Sequence, residues 1–108
     1  MEVGTVLYQQ DVEGIPQLAT LKGAVEVQLP NGDADVVAKW AVYEYNKKHG
    51  THLEFESTLA AYKTSVALGA IYAILLKAKD CGKSKVYFAA VLVTPVKKFL
   101  LLFVHIYG

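Results

Sequence analysis

The strongest constraint on this chain is the lopsided placement of its helix signals. Between Pro30 and Gly50 lies everything needed to start, run and stop one helix, and no later segment repeats that pattern. Asn31 or Asp33 can cap the amino end, where Asp33 and Asp35 also suit the partial positive charge of the helix dipole. Val37, Trp40, Ala41 and Glu44 or Tyr45 recur at helical spacing, while Lys39, Asn46 and Lys47 fall off that stripe. Lys47, Lys48 and His49 complement the carboxyl end, and Gly50 is a natural left-handed stop.

Everything after Gly50 reads as strand and turn. HLEFES alternates Leu53 and Phe55 against acids. YKTSVALGAIY, Tyr62 to Tyr72, is strand, turn and strand about one glycine, Gly69, and runs on into AIYAILLKA. KDCGK, with Asp80 and Gly82, makes the next turn. SKVYFAAVLV is a strand ended by Thr94-Pro95, and KKFLLLFVHIY is the last. Ahead of the helix, KGAVEVQL alternates with Val25, Val27 and Leu29 on one face, which predicts a first strand. Met1 to Leu21 has no sustained period and is broken by Gly4, Gly14 and Pro16. The expected organisation is an N-terminal segment, residues 1–22, of no legible structure, then an α+β domain over 23–108. In that domain one helix packs across a four- to five-stranded antiparallel sheet.

Composition narrows the function classes. A chain of 108 residues holds one core. Its formal net charge of +1 lacks the clustered basic excess that nucleic acid demands, so no nucleic-acid partner is expected. One cysteine, Cys81, excludes an internal disulfide. No apolar run is long enough to cross a bilayer as a helix, so no membrane partner is expected either. The opening MEVG has no basic stretch before an apolar run; no signal peptide is legible, and an intracellular or already mature chain is expected. His49 and His52 straddle Gly50 without a third ligand, so neither a metal nor another cofactor is called for. Asp33, Asp35 and Glu44 belong to a helix cap and helix surface, and no GxSxG, P-loop or Rossmann pattern occurs. An enzyme is not expected.

The segment VAKWAVYEYNKK, Val37 to Lys48, resembles the helix signature of the plant cystatins, with Trp40 where that family usually carries Phe or Tyr. Leu53 to Phe55, the glycine-containing turn at Asp80 to Gly82, Tyr87 and VTPVKKF from Val93 to Phe99 fall at the family's spacings, so the likeness covers roughly residues 23–103. The resemblance implies a reversible, competitive inhibitor of papain-like cysteine proteases. In such an inhibitor an N-terminal segment with a glycine and two hairpin loops fill the protease cleft. Carried over position by position, the glycine is Gly23, with Gly14 and Gly4 as lesser alternatives. The first loop is Ser65, Val66, Ala67, Leu68 and Gly69, and the second is Pro95-Val96. The family pattern Gln-x-Val-x-Gly survives only at Gly69, since Ser65 replaces Gln and Ala67 replaces Val, and its Pro-Trp is Pro95-Val96 here.

A second departure lies in the sheet. A sheet with one face on a helix should alternate apolar and polar residues. Tyr87, Ala89, Val91 and Val93 supply a helix-facing set, yet Val86, Phe88, Ala90 and Leu92 are apolar too, Leu75 joins them from the neighbouring strand, and FLLLFVHIY is apolar in both parities. A single chain would then expose a contiguous apolar patch. Three readings compete: cover by residues 1–22, self-association as a homodimer or domain-swapped dimer, or an engineered partner-binding face around Leu75, Phe88, Ala90 and Leu92. The last two make the chain a non-inhibitory binding module, the alternative to inhibition.

Overall fold

The computed structural model describes residues 23–107, so residues 1–22, with Gly4 and Gly14, and Gly108 lie outside it. The elements are β1 (Val25–Glu26), α1 (Gly32–His49), β2 (Glu54–Val66), β3 (Gly69–Asp80), β4 (Lys83–Val93) and β5 (Lys98–Tyr107). The five strands form one antiparallel sheet in chain order, with α1 packed across one face. This is the α+β architecture that the single helix signature predicts.

Asn31 is the residue that caps α1. Its Oδ1 accepts from the Ala34 N–H at 2.9 Å, and Gly50 closes the other end in the left-handed region at φ 66°. Ala34, Val37, Ala38, Ala41 and Val42 are buried against Ala61, Ile74, Leu76, Tyr87, Ala89 and Val91 of the sheet. Ala34, Ala38 and Ala41 on the helix, with Ala61 and Ala89 on the sheet, let the helix lie close to the strands. Trp40 and Tyr45 are half-buried at the margin of that core, and Tyr45 stacks on Phe103 with ring centroids 4.3 Å apart. Asp35, expected only to suit the dipole, also accepts from the Thr58 hydroxyl at 2.7 Å and so ties the first helical turn to β2.

The first strand is shorter than its alternation suggests. Only Val25–Glu26 is paired as strand, with Val25 opposite Lys63 and Glu26 opposite Tyr62, although the Val27 N–H still donates to the Ala61 carbonyl at 2.8 Å. Val27 and Leu29 pack on the helix-side core, but Val25 is 66% exposed. Val25 sits at the open end of an edge strand, past the reach of that core.

Four irregularities set which residues face the helix. Register shifts between Phe55 and Ser57 and between Thr58 and Ala60 insert one extra residue each into β2, and shifts between Leu100 and Leu102 and between His105 and Tyr107 do so in β5. Each bulge exchanges the two faces of the strand beyond it. Leu100 and Phe103 therefore both pack on the helix side, Leu102 and Val104 on the other, and the bulged Leu59 and Leu101 are exposed. This is how a β5 that is apolar in both parities is accommodated.

The face away from α1 carries its own apolar cluster, Ile71, Ala73, Phe88 and Ala90, with Tyr62, Val66, Leu92, Leu102 and Val104 packed around it. Phe88 is 3% exposed and Ala90 is 0%, while Leu75 and Leu92 are half-buried.

Candidate functional site

An antiparallel meander returns alternate turns to the same end of the sheet. Here that end gathers the start of β1, the β2–β3 turn and the β4–β5 turn. Extending the Val25–Lys63 register by two residues sets Gly23 opposite Ser65, and both line one shallow recess with Val25, Glu26, Val27 and Lys63. Gly23 has φ 75°, a left-handed conformation that glycine adopts without a steric cost. The three segments expected to enter a protease cleft thus share one edge.

The β2–β3 turn differs in detail from a hairpin built around its glycine. Val66 pairs with Gly69, so the two turn residues are Ala67 and Leu68, and neither has positive φ. Gly69 is the first residue of β3. A Cβ there would run into the carbonyl oxygen of Val93, so its missing side chain lets the first turn lie against the end of β4, next to the second turn. Val66 points into the apolar cluster on the face away from α1, and Ser65 points to the opposite face, beside Lys63. What this turn presents at its tip is Ala67 and Leu68, and Leu68 is 67% exposed.

The β4–β5 turn is organised by one hydroxyl. Thr94 Oγ1 donates to the Lys97 carbonyl at 2.8 Å and accepts from the N–H groups of Lys97 at 3.1 Å and Val96 at 3.3 Å. The Thr94 N–H also donates to the Lys97 carbonyl at 2.9 Å. This ring of bonds projects Pro95 and Val96 outward, leaving Val96 88% exposed. The edge therefore offers two apolar tips, Leu68 and Val96, on turns pinned by internal contacts. Among the described residues the groups with shifted pKa, Asp80, Lys85 and Tyr87, lie on β3 and β4 towards the hairpin at the other end of the sheet.

A family model described as SQAPI, aspartic acid proteinase inhibitor, matches residues 28–105. The chain is 39% identical over 67 residues to cysteine proteinase inhibitor A of Helianthus annuus, covering 62% of this chain and 80% of that relative. The chain belongs to the plant cystatin family. It is 40% identical over 82 residues to a multicystatin of Solanum tuberosum, covering 75% of this chain but 11% of the relative. It is 36% identical over 69 residues to cysteine proteinase inhibitor 3 of Oryza sativa subsp. japonica, covering 64% of this chain and 37% of the relative. The cystatin chain thus spans well under two thirds of these last two proteins. The family consists of proteinase inhibitors, not of enzymes.

Two features of this cystatin's edge escaped the motif comparison. Thr94 organises the second turn, and its signal was present in the Thr-Pro dipeptide, because a threonine hydroxyl commonly bonds backbone groups two or three residues on. The contact of Gly69 with Val93 had no sequence signal, since it joins residues 24 apart through the packing of β3 on β4.

Proposed function

We propose that this cystatin is a reversible, competitive inhibitor that fills the cleft of a papain-like cysteine protease with Gly23, the tip at Ala67 and Leu68, and Pro95-Val96. One observation carries the reading: three segments distant in sequence meet at one edge, where the two turns are braced by internal contacts and present exposed apolar side chains. The names of the relatives support the target class. A pre-braced edge loses little conformational freedom on binding, which favours affinity without requiring a large contact area.

The edge is less adhesive than the family pattern. A tryptophan at an interface tip buries about 150–250 Å² and is often worth roughly 2 kcal/mol or more. Val96 cannot match that area, and Ser65 cannot reach as far as a glutamine amide. With each ~1.4 kcal/mol worth about tenfold in affinity, the inhibitor is a weak one, in the micromolar range.

The printed description of the matching family model favours a second reading, inhibition of an aspartic proteinase through the same edge. One experiment separates them: titration of papain and of pepsin with the purified full chain. Competitive inhibition of papain at micromolar concentration supports the first reading. Inhibition of pepsin alone supports the second, and inhibition of neither at a hundred micromolar or so, about −5.5 kcal/mol of binding, removes both.

A further inference from the structure

We propose that Lys63, Lys97 and Lys98 flank the apolar tips of the proposed inhibitory edge and select proteases whose cleft rim is acidic. The inference rests on the cleft-filling reading above and adds to it the kind of cleft that the edge fits.

Strand register puts these lysines on both sides of the edge. Ser65 pairs with Ala70, Ala70 with Val93 and Val93 with Lys98, so one row crosses the sheet from β2 to β5. That row spans three strand spacings, about 14 Å. Lys63 stands two residues behind Ser65 at one side, and Lys97 and Lys98 close the β4–β5 turn at the other. The exposed side chains of Leu68 and Val96 belong to the two turns framed by these lysines.

Two of the ammonium groups are held by aromatic rings. Lys63 Nζ lies 5.6 Å from the centroid of Tyr72, on the face that carries α1, and Lys97 Nζ lies 5.0 Å from that of Phe99. A ring positions an ammonium without neutralising it. No described carboxylate lies within 4.0 Å of Lys63, Lys97 or Lys98 in an ion pair. At the opposite end of the sheet the charges do cancel, with Lys79 3.9 Å from Glu56 and Lys85 3.0 Å from Asp80. Glu26 is the described acid near the edge. Its neighbours Val25 and Val27 share the parity that faces α1, so Glu26 is turned to the other face from Lys63. The described part of the edge is thus cationic although the formal net charge of the whole chain is only +1.

Small apolar tips discriminate weakly between one cleft and another. Charges beside them act differently: they speed encounter with an acidic rim and penalise a basic one. The Debye length at physiological salt is about 8 Å, so the effect persists at the separations of a forming contact.

The test measures association rates of the full chain with two papain-like proteases, one with an acidic cleft rim and one with a basic rim. At about 0.02 M salt the acidic-rim protease should be bound at least about tenfold faster, and the gap should shrink towards unity at about 0.5 M. Changing Lys63, Lys97 and Lys98 together to glutamine should cut that preference several-fold, and changing them to glutamate should reverse it, with circular dichroism unchanged. A control changes Lys48, Lys77 and Lys83 to glutamate, which alters net charge equally away from the edge, and should keep the preference. Inhibition of both proteases at rates that ignore the edge substitutions overturns the proposal and leaves the cleft-filling reading standing. An equal response to the control also overturns it, since net charge alone then sets the rate. Inhibition of neither protease at about a hundred micromolar removes the proposal together with that reading.

Discussion

The side-chain amide of Asn46 holds both backbone groups of Leu53: its Nδ2 donates to the Leu53 carbonyl at 2.9 Å, and its Oδ1 accepts from the Leu53 N–H at 2.9 Å. The same oxygen accepts from the Thr51 hydroxyl at 2.8 Å, while the Asn46 carbonyl accepts from the N–H of Gly50 at 2.8 Å. One residue of the helix thus fixes the path from α1 into β2. Leu53 itself is buried in the helix-side core. Asn46→Ala should lower unfolding stability by about 2–3 kcal/mol, because it strands two backbone groups at once. Asn46→Asp keeps the acceptor but faces a carboxylate to the Leu53 carbonyl, and should recover at most part of that loss. Urea unfolding of the three proteins measures it.

Val96 is the most exposed large apolar side chain among the described residues at the proposed inhibitory edge. Val96→Trp should strengthen inhibition of the susceptible protease by roughly tenfold or more, the scale of an added aromatic anchor. Fold stability should stay unchanged. Thr94→Val should weaken inhibition in parallel by loosening the turn. An inhibition constant that ignores both changes removes the β4–β5 turn from the binding edge.

Gly69 is a poor place to test loop contacts. Its α-hydrogen position faces the Val93 carbonyl, and the obstructing atom belongs to the backbone, which cannot rotate away. Gly69→Ala should therefore destabilise the fold itself by about 1–3 kcal/mol, the usual range for forced overpacking. Thermal unfolding of the variant without any protease present will show this.

Cys81 is the described non-glycine residue with positive φ, at 53°, followed by Gly82 at 83°. Two left-handed residues between Asp80 and Lys83 make the primed turn that suits a two-residue hairpin, and asparagine fills its first position better than cysteine. Cys81→Asn should stabilise the protein by about 0.5–1 kcal/mol, visible as a melting point higher by several degrees. It also removes an exposed thiol.

The Asp80–Lys85 pair gives a pH dependence of known sign. Lys85 Nζ lies 3.0 Å from Asp80 Oδ2, and the hydrogen bond, then the charge, holds the Asp80 carboxyl below its ordinary value. The same two causes raise the Lys85 ammonium above its own. The contribution of Asp80 is complete above the ordinary carboxylate pKa of about 3.9 and disappears as pH falls through its lower folded-state value. That of Lys85 is complete below the ordinary lysine value of about 10.4 and fades as pH rises through its higher one. The stability gap between the protein and Asp80→Asn should thus be flat through neutral pH and close at both extremes. Urea titrations at several pH values test it; a gap that grows on acidification contradicts the pairing.

What the residues dictated locally is what short-range chemistry can encode. The bounds of α1 follow from Asn31, two first-turn acids, three last-turn bases and Gly50, all within one helix length of each other. The turns at Asp80 to Lys83 and Thr94 to Lys97 follow from their glycine, threonine and proline. The apolar character of both faces of β4 was likewise legible, because parity is a local property while a strand stays regular. Tertiary structure alone decided the rest. The bulges at Glu56, Leu59, Leu101 and Ile106 reassign faces only against a partner strand, so no periodicity in one segment could reveal them. The span of Asn46 to Leu53, the approach of Gly69 to Val93, and the gathering of Gly23, Leu68 and Val96 at one edge exist only once the strands are in register. Hydrogen-bond partners and steric room across a sheet are set by residues tens of positions away, and that distance separates what the chain could declare by itself from what folding had to supply.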